Sequence, residues 1–157
     1  MPGSKQQSSM RITQPAVTVL RVFLGLALVA AGALKVGHAT ELASAIASFR
    51  LLPAGFTALL ALVLPYFEIL LGLYLALGLF TRVAATIAAA QFVVYAAAIA
   101  SAVLRHIPAN CGCFGPNDSA VADWPHVLFD LALAVIAVLI AYGAPGALAV
   151  DRRLATK

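Results

Sequence analysis

Four long apolar stretches constrain this chain more than any other feature of its sequence. A bilayer hydrocarbon core of ~30 Å requires roughly 20 residues of α-helix. In lipid each backbone N–H and C=O must be paired inside the protein, which for stretches of this length means a helix. The sequence therefore predicts an all-α integral membrane protein, a four-transmembrane-helix bundle. Its predicted spans are about 15–34, 56–80, 83–104 and 124–142.

The composition excludes most soluble classes of protein. Hydrophobic residues make up 63% of the 157-residue chain and charged residues only 10%, too few to cover the surface of a water-soluble domain. The net charge is +4, but the basic residues lie beside the apolar stretches instead of forming a patch with interleaved aromatics. A nucleic-acid partner is therefore not expected, and the lipid bilayer is the first partner predicted.

The distribution of Lys and Arg predicts how the bundle is oriented, because cytoplasmic loops are richer in these residues. One side of the predicted bundle carries six: Lys5, Arg11, Arg82, Arg152, Arg153 and Lys157. The other side carries three: Lys35, Arg50 and Arg105. We expect both termini in the cytoplasm of a bacterial cell and the protein in its inner membrane. The polar segment 1–14 then precedes the transmembrane domain 15–142, and a basic cytoplasmic tail, 143–157, follows it.

The connection between the first two spans, residues 35–53, also shows helical periodicity. Leu42, Ile46 and Phe49 recur at the spacing of one helix face. This spacing predicts a short helix lying along the membrane interface.

A polar loop, residues 105–123, carries the chain's two cysteines, Cys111 and Cys113, on either side of Gly112. Any disulfide within the chain must join these two, and the glycine reaches backbone angles that such a small ring requires. A strained, exposed disulfide is easily reduced, so the pair suits reversible exchange better than stapling. The predicted orientation places the loop outside the cytoplasm, where disulfides persist.

Neighbouring residues leave other interpretations of the loop open. Arg105 and His106 are basic groups that could favour the reactive thiolate form. A static disulfide that only tightens the loop is one alternative. A soft-metal site is another, in which His106 or His126 would complete the cysteine ligands.

The motif Cys-Gly-Cys-Phe-Gly at 111–115, followed by Trp124 at the start of the last predicted helix, resembles the methylamine-utilisation MauE family. Gly112, Phe114 and Gly115 are structural positions of that motif. The wider chain is similar to the DoxX-like four-helix membrane proteins. That similarity rests on Arg21-Val-Phe-Leu-Gly25, Ala-Gly-Ala-Leu-Lys35, Leu52-Pro53 and Leu64-Pro-Tyr-Phe-Glu68, with Gly72 and Gly78. The resemblance implies a membrane protein that helps to mature a disulfide-rich periplasmic enzyme subunit beside a thioredoxin-like partner.

Ionisable residues inside the predicted spans are costly in lipid and are expected either to pair or to act in function. Counting residues from the span ends predicts a structural pair of Lys35 with Asp130 and a looser pair of Arg21 with Glu68. In the functional alternative, Glu68 carries a proton coupled to thiol oxidation, or Arg21 or Lys35 contacts a quinone head group. Arg105 and His106 complete the candidate cofactor-binding set, and no cofactor is fixed by the sequence.

On the third span, Gln91 and Tyr95 are predicted as interhelical hydrogen-bond partners. The same span is rich in alanine, and small residues let helices approach closely in lipid.

Two functional hypotheses follow. In the first, the chain is a membrane thiol–disulfide redox protein, an oxidoreductase if it turns over, acting on an extracytoplasmic partner through Cys111 and Cys113. In the second, it is a non-enzymatic assembly or docking subunit of a larger membrane complex, and its disulfide only shapes a contact loop. The soft-metal site is a third and weaker alternative.

Overall fold

The computed structural model describes residues 14–110, 121–144 and 149, and this part of the chain folds into five α-helices. The helices are α1 Gln14–Lys35, α2 Ala39–Ser48, α3 Ala54–Leu77, α4 Thr81–Leu104 and α5 Trp124–Gly143.

Four of these helices, α1, α3, α4 and α5, are long and apolar enough to cross a membrane. Large apolar side chains cover their outer surfaces, as at Phe23, Leu62, Val94 and Leu128, which are more than half exposed. Such a surface would be unfavourable in water and suits contact with lipid. The predicted all-α, four-helix integral membrane fold is confirmed.

The long helices pack mainly in two antiparallel pairs, α1 with α3 and α4 with α5. A smaller contact between α1 and α5 joins the pairs, whereas α3 and α4 pack only lightly against each other. Residues 78–80 connect α3 to α4 and mark what we call the turn end of the bundle. The opposite end, where α4 stops at Leu104 and α5 starts at Trp124, is the loop end.

Glycines allow α1 and α3 to approach closely. A Cβ on Gly25 would lie 2.7 Å from the backbone of Gly72 and Ala76, and one on Gly32 would collide with the carbonyl of Pro65. Small residues at helix interfaces permit such backbone contact in lipid, where packing drives association. The glycine contacts therefore fix the stagger of α1 against α3.

Alanines perform the same role between α4 and α5. The buried core contains the α4 residues Ala84, Ala85, Ala88 and Ala89, and across from them α5 contributes Ala134, Ala137 and Ile140. These four alanines of the alanine-rich span are thus buried within the chain.

The short helix expected in the first connection is present as α2, which packs against α3. Leu42 is its buried residue, and Leu42, Ile46 and Phe49 all face the space between α2, α3 and α4. The predicted periodicity therefore corresponds to an apolar face that turns toward the bundle.

Replacing Gly25 with alanine tests the close contact of α1 and α3. Because the new methyl group would meet backbone that cannot move aside, we expect a loss of roughly 1–3 kcal/mol in the free energy of unfolding. Gly55→Ala is the matched control, since a Cβ there meets no atom within 4 Å. Thermal unfolding in detergent, followed by circular dichroism, measures both. Equal stability of the two variants would contradict the packing described.

Candidate functional site

A cluster of polar side chains is buried in the interior of the apolar bundle, formed by Lys35, Glu68, Gln91 and Tyr95. Lys35 Nζ donates to both carboxylate oxygens of Glu68, at 2.8 and 3.0 Å. Tyr95 Oη donates to Glu68 Oε1 at 2.7 Å, and Gln91 Nε2 donates to the same oxygen at 3.1 Å. Gln91 Nε2 also donates to Tyr95 Oη at 2.8 Å. One carboxylate therefore joins α1, α3 and α4.

The predicted pairing of the intramembrane charges was wrong in its partners. Lys35 pairs with Glu68 and not with Asp130, and both members of the pair are at most 5% exposed. Lys35 is the last residue of α1. Gly32, about one turn earlier on α1, lies against Pro65 and Ile69 of α3, and this contact brings the Lys35 side chain to Glu68. Position counted from the ends of the spans could not reveal this offset between the two helices.

Gln91 and Tyr95 are one turn apart on α4, so their side chains lie on the same face of that helix. Their prediction as interhelical hydrogen-bond partners is confirmed. Sequence reasoning did not connect them with Glu68, although the i,i+4 spacing of two polar residues in an apolar helix signals a shared partner.

Arg21 lies in a different part of the bundle from the buried cluster. Its side chain is 1% exposed and occupies the space beside Gly78, next to Ala149. Gly78 caps α3 in the left-handed conformation, with φ 72°. A side chain at this position would be strained and would also collide with the Arg21 guanidinium. Arg21 is therefore placed at the turn end and not beside Glu68 as predicted.

Asp130 is buried on α5, with 5% exposure. Among the described residues, no hydrogen-bond partner reaches its Oδ2. A buried carboxylate is costly, and the electrostatic attraction of His126 and Lys35 offsets part of that cost for Asp130.

The sulfur-bearing loop itself lies outside the described residues, and this includes Cys111, Gly112, Cys113, Phe114 and Gly115. The structure describes its base. Asn110 and Val121 form an isolated antiparallel bridge, and Ala122 donates its N–H to the carbonyl of Ala109 at 2.8 Å.

The base is packed as well as hydrogen-bonded. Ala109 and Ala122 are buried in a second apolar cluster with Ile99, Ala102 and Val127. The two strands of chain that enter and leave the cysteine loop are therefore held side by side at the loop end.

Arg105 and His106 follow directly after α4, before the base of the loop. Arg105 donates through Nε to the carbonyl of Ser101 and through Nη2 to that of Phe49, which ties the end of α4 to the end of α2. His106 is exposed and has a positive φ of 54°. The structure thus places both candidate basic groups at the loop end, far along α4 from the buried cluster.

At the start of α5, Asp123 is the N-cap and accepts the backbone N–H of His126 at 3.1 Å. The ring of His126 also hydrogen-bonds the Asp123 carboxylate. The hydrogen bond with the His126 ring has the larger effect and the one from the His126 backbone the smaller, and together they hold the pKa of Asp123 below its ordinary value. Trp124 is the first residue of α5 and is half exposed. His126 is therefore engaged in capping α5.

Comparison with known proteins gives one consistent result. The sequence model of the MauE family, described as methylamine utilisation protein MauE, matches residues 13–143. A methylamine utilization protein MauE from Paracoccus denitrificans is 38% identical over 138 residues, 87% of this chain and 74% of that protein. Its counterpart from Methylophilus methylotrophus is 33% identical over 135 residues, 83% and 70% of the two chains. No solved structure matches.

Breaking the buried ion pair on one side tests its role in the fold. Lys35→Met leaves the Glu68 carboxylate buried without its ammonium partner, and we expect a loss of about 3–5 kcal/mol in stability. The double variant Lys35→Met/Glu68→Gln removes both charges and keeps an oxygen for Tyr95, so it should be more stable than the single variant.

Unfolding in detergent monitored by circular dichroism compares the variants. The control is Glu41→Gln, which removes an exposed acid and should change stability by no more than about 0.5 kcal/mol. A Lys35→Met protein as stable as this control would show that the ion pair contributes nothing.

Proposed function

The chain belongs to the MauE family, and from that premise we propose that it is a membrane thiol–disulfide redox protein. In this proposal Cys111 and Cys113 support the maturation or redox poise of an extracytoplasmic partner. The observation that carries the proposal is the closed base of the cysteine loop: Asn110 pairs with Val121 at the loop end, so the chain enters and leaves the cysteine segment at neighbouring points. Reversible exchange requires that a partner thiolate can reach the disulfide.

The proposed chemistry is an ordinary disulfide exchange. A partner thiolate attacks one sulfur of the Cys111–Cys113 bond, forming a mixed disulfide and releasing the other cysteine as a thiolate. The partner's second thiolate then attacks the partner sulfur of the mixed disulfide. This step releases Cys111 and Cys113 as the reduced pair and leaves the partner with a disulfide. Two electrons pass from the partner to the cysteines, and the reverse sequence reduces a partner disulfide.

Side and localisation belong to the same proposal. The excess of Lys and Arg flanking the turn end and the termini favours a cytoplasmic position for them in a bacterial inner membrane. The loop end, with Arg105 and His106 at its surface, then faces the extracytoplasmic space. A thioredoxin-like protein is the class of partner that such a dithiol suits. The names of the two relatives indicate methylamine utilisation as the process served.

The alternative of a non-enzymatic docking subunit receives less support from the packing. A docking surface of small residues on α4 is not supported by Ala84, Ala85, Ala88 and Ala89, because these alanines are buried against α5 within the chain. The soft-metal alternative would have to use His106, because the ring of His126 is engaged by Asp123.

Thiol labelling in intact cells tests sidedness and reversibility together. An impermeant maleimide should leave Cys111 and Cys113 unmodified before treatment and should label both after mild reductant, because the proposal requires an exposed and reducible bond. Mass shift on a gel after cell lysis provides the measurement. The matched control is Phe80→Cys in a Cys111→Ser/Cys113→Ser background, which places one thiol at the exposed turn end and should stay unlabelled until the cells are permeabilised.

A second test of the redox proposal measures function in a variant that lacks both cysteines. The Cys111→Ser/Cys113→Ser variant should abolish growth on methylamine, or the activity of the client enzyme, while its abundance and helix content stay unchanged. Wild-type function in this variant, or a bond that mild reductant does not open, would exclude the redox role and leave the docking alternative.

A further inference from the structure

An apolar cavity of about 580 Å³ lies between α2, α3 and α4, in the half of the bundle nearer the loop end. Its apolar walls include Leu42, Phe49, Leu60, Phe67, Val94 and Ala98. Since α3 and α4 pack only lightly against each other, the space between them is a lateral path from the bilayer into the cavity.

The inner end of the cavity is formed by Lys35, Gln91 and Tyr95, but it exposes almost no polar surface. Lys35 Nζ, Gln91 Nε2 and Tyr95 Oη make their hydrogen bonds inside the buried cluster. Lys35 is only 5% exposed and Gln91 only 9%. Because a polar group placed in such a space would lose water without gaining a partner, the cavity suits a hydrocarbon chain. Any polar part of a guest must lie outside it.

The cavity extends from the middle of the hydrocarbon core to the level of the head groups. Gln91, at its inner end, lies roughly 15 Å along α4 from Thr81 at the turn end, about half of a ~30 Å core. At its outer end, Phe49 is hydrogen-bonded to Arg105, which directly follows α4. The half-exposed Trp124 begins α5 at the same end of the bundle, as is typical of the membrane interface. The cavity thus covers the depth of one acyl chain in its leaflet.

Two exposed arginines, Arg50 and Arg105, lie at the outer end of the cavity. Arg50 stands between Phe49 and Leu51, which both line the cavity, and Arg105 donates to the carbonyl of Phe49. In the part of the chain that the structure describes, neither arginine is paired with a carboxylate. A guanidinium has five N–H donors in a planar fork that matches a phosphate group. The outer end of the cavity therefore offers donors for an anion.

The charges near these arginines favour an anionic head group. Asp123 is engaged by His126, and Glu41 lies in the first turn of α2, at the opposite end of that helix from Phe49. An acidic face of a protein partner would be attracted to the same arginines, but it would leave the adjoining hydrocarbon cavity empty. A molecule with a phosphate at the interface and an apolar chain below it uses both features.

We propose that the cavity binds one acyl chain of an anionic phospholipid, whose phosphate group contacts Arg50 and Arg105. The chain enters between α3 and α4 and fills space that would otherwise provide no van der Waals contact. The phosphate stays at the depth of the head groups, so no charge enters the core. This site does not depend on the cysteines, on the proposed redox function or on which side the loop end faces.

Lipid titration of the purified full-length protein in neutral detergent, followed by native mass spectrometry, tests the proposal. The probes are dioleoylphosphatidylglycerol, dioleoylphosphatidylcholine, which has the same chains but no net charge, and glycerophosphoglycerol, which has the head group and no chains. Phosphatidylglycerol should bind about fivefold more tightly than phosphatidylcholine, because its anionic head is attracted to the two arginines. The free head group should show no binding, because it lacks the chain.

An arginine variant tests the recognition of the head group. Arg50→Gln should weaken phosphatidylglycerol binding about fivefold and bring it close to that of phosphatidylcholine. Arg82→Gln is the matched control, since it removes the same charge from an exposed residue at the turn end. It should leave both affinities unchanged.

A pair of alanine variants tests the place of the chain. Ala98→Phe fills part of the cavity and should weaken phosphatidylglycerol binding roughly tenfold. Ala97→Phe is its control, because this neighbouring residue is exposed and does not line the cavity. Both variants add apolar atoms where space is open, so folding should be retained, as thermal unfolding will show.

Two results would overturn the proposal. Equal lipid affinities in Arg50→Gln and Arg82→Gln would show that the arginines do not recognise the head group, and would leave them to an acidic protein surface. Equal affinities in Ala98→Phe and Ala97→Phe would show that the chain lies elsewhere. Neither measurement involves Cys111 or Cys113, so failure of the lipid site and failure of the redox function are distinguished.

Discussion

The ion pair between Lys35 and Glu68 is the interaction on which the arrangement of the helices depends. A single charge in the hydrocarbon core is expensive, and Glu68 also accepts hydrogen bonds from Gln91 and Tyr95. Because Glu68 is on α3 and its partners come from α1 and α4, the carboxylate links helices that otherwise pack in separate pairs. The light packing of α3 against α4 makes this polar link a main connection between them.

The pair can form only because α1 and α3 are unusually close. Gly25 and Gly32 let the α1 backbone contact the α3 backbone, and this sets the height at which Lys35 meets its partner. A bulkier residue at either glycine would separate the helices and lengthen the ion pair. The two glycines therefore set the distance between α1 and α3, and that distance sets the geometry of the Lys35–Glu68 ion pair.

These links explain which features could be predicted from the sequence. Hydropathy and length are local properties, so the four spans and the short helix α2 were recognisable from the residues alone. The partner of Lys35 was not, because it depends on the stagger of two helices, which is set by backbone contacts at Gly32 and Pro65. The cavity was unpredictable for the same reason, since its walls come from three helices. The cysteine motif was evident from spacing alone.

The buried cluster and the cysteine loop are separate sites joined by one helix. Tyr95 lies in the cluster and Arg105 at the base of the loop, roughly 15 Å apart along α4. Any communication between the two must pass through packing. Phe49 and Ile99 provide a route, because both line the cavity and belong to the apolar cluster beneath the loop. A change of packing in the space between α2, α3 and α4 is therefore transmitted to the base of the cysteine loop.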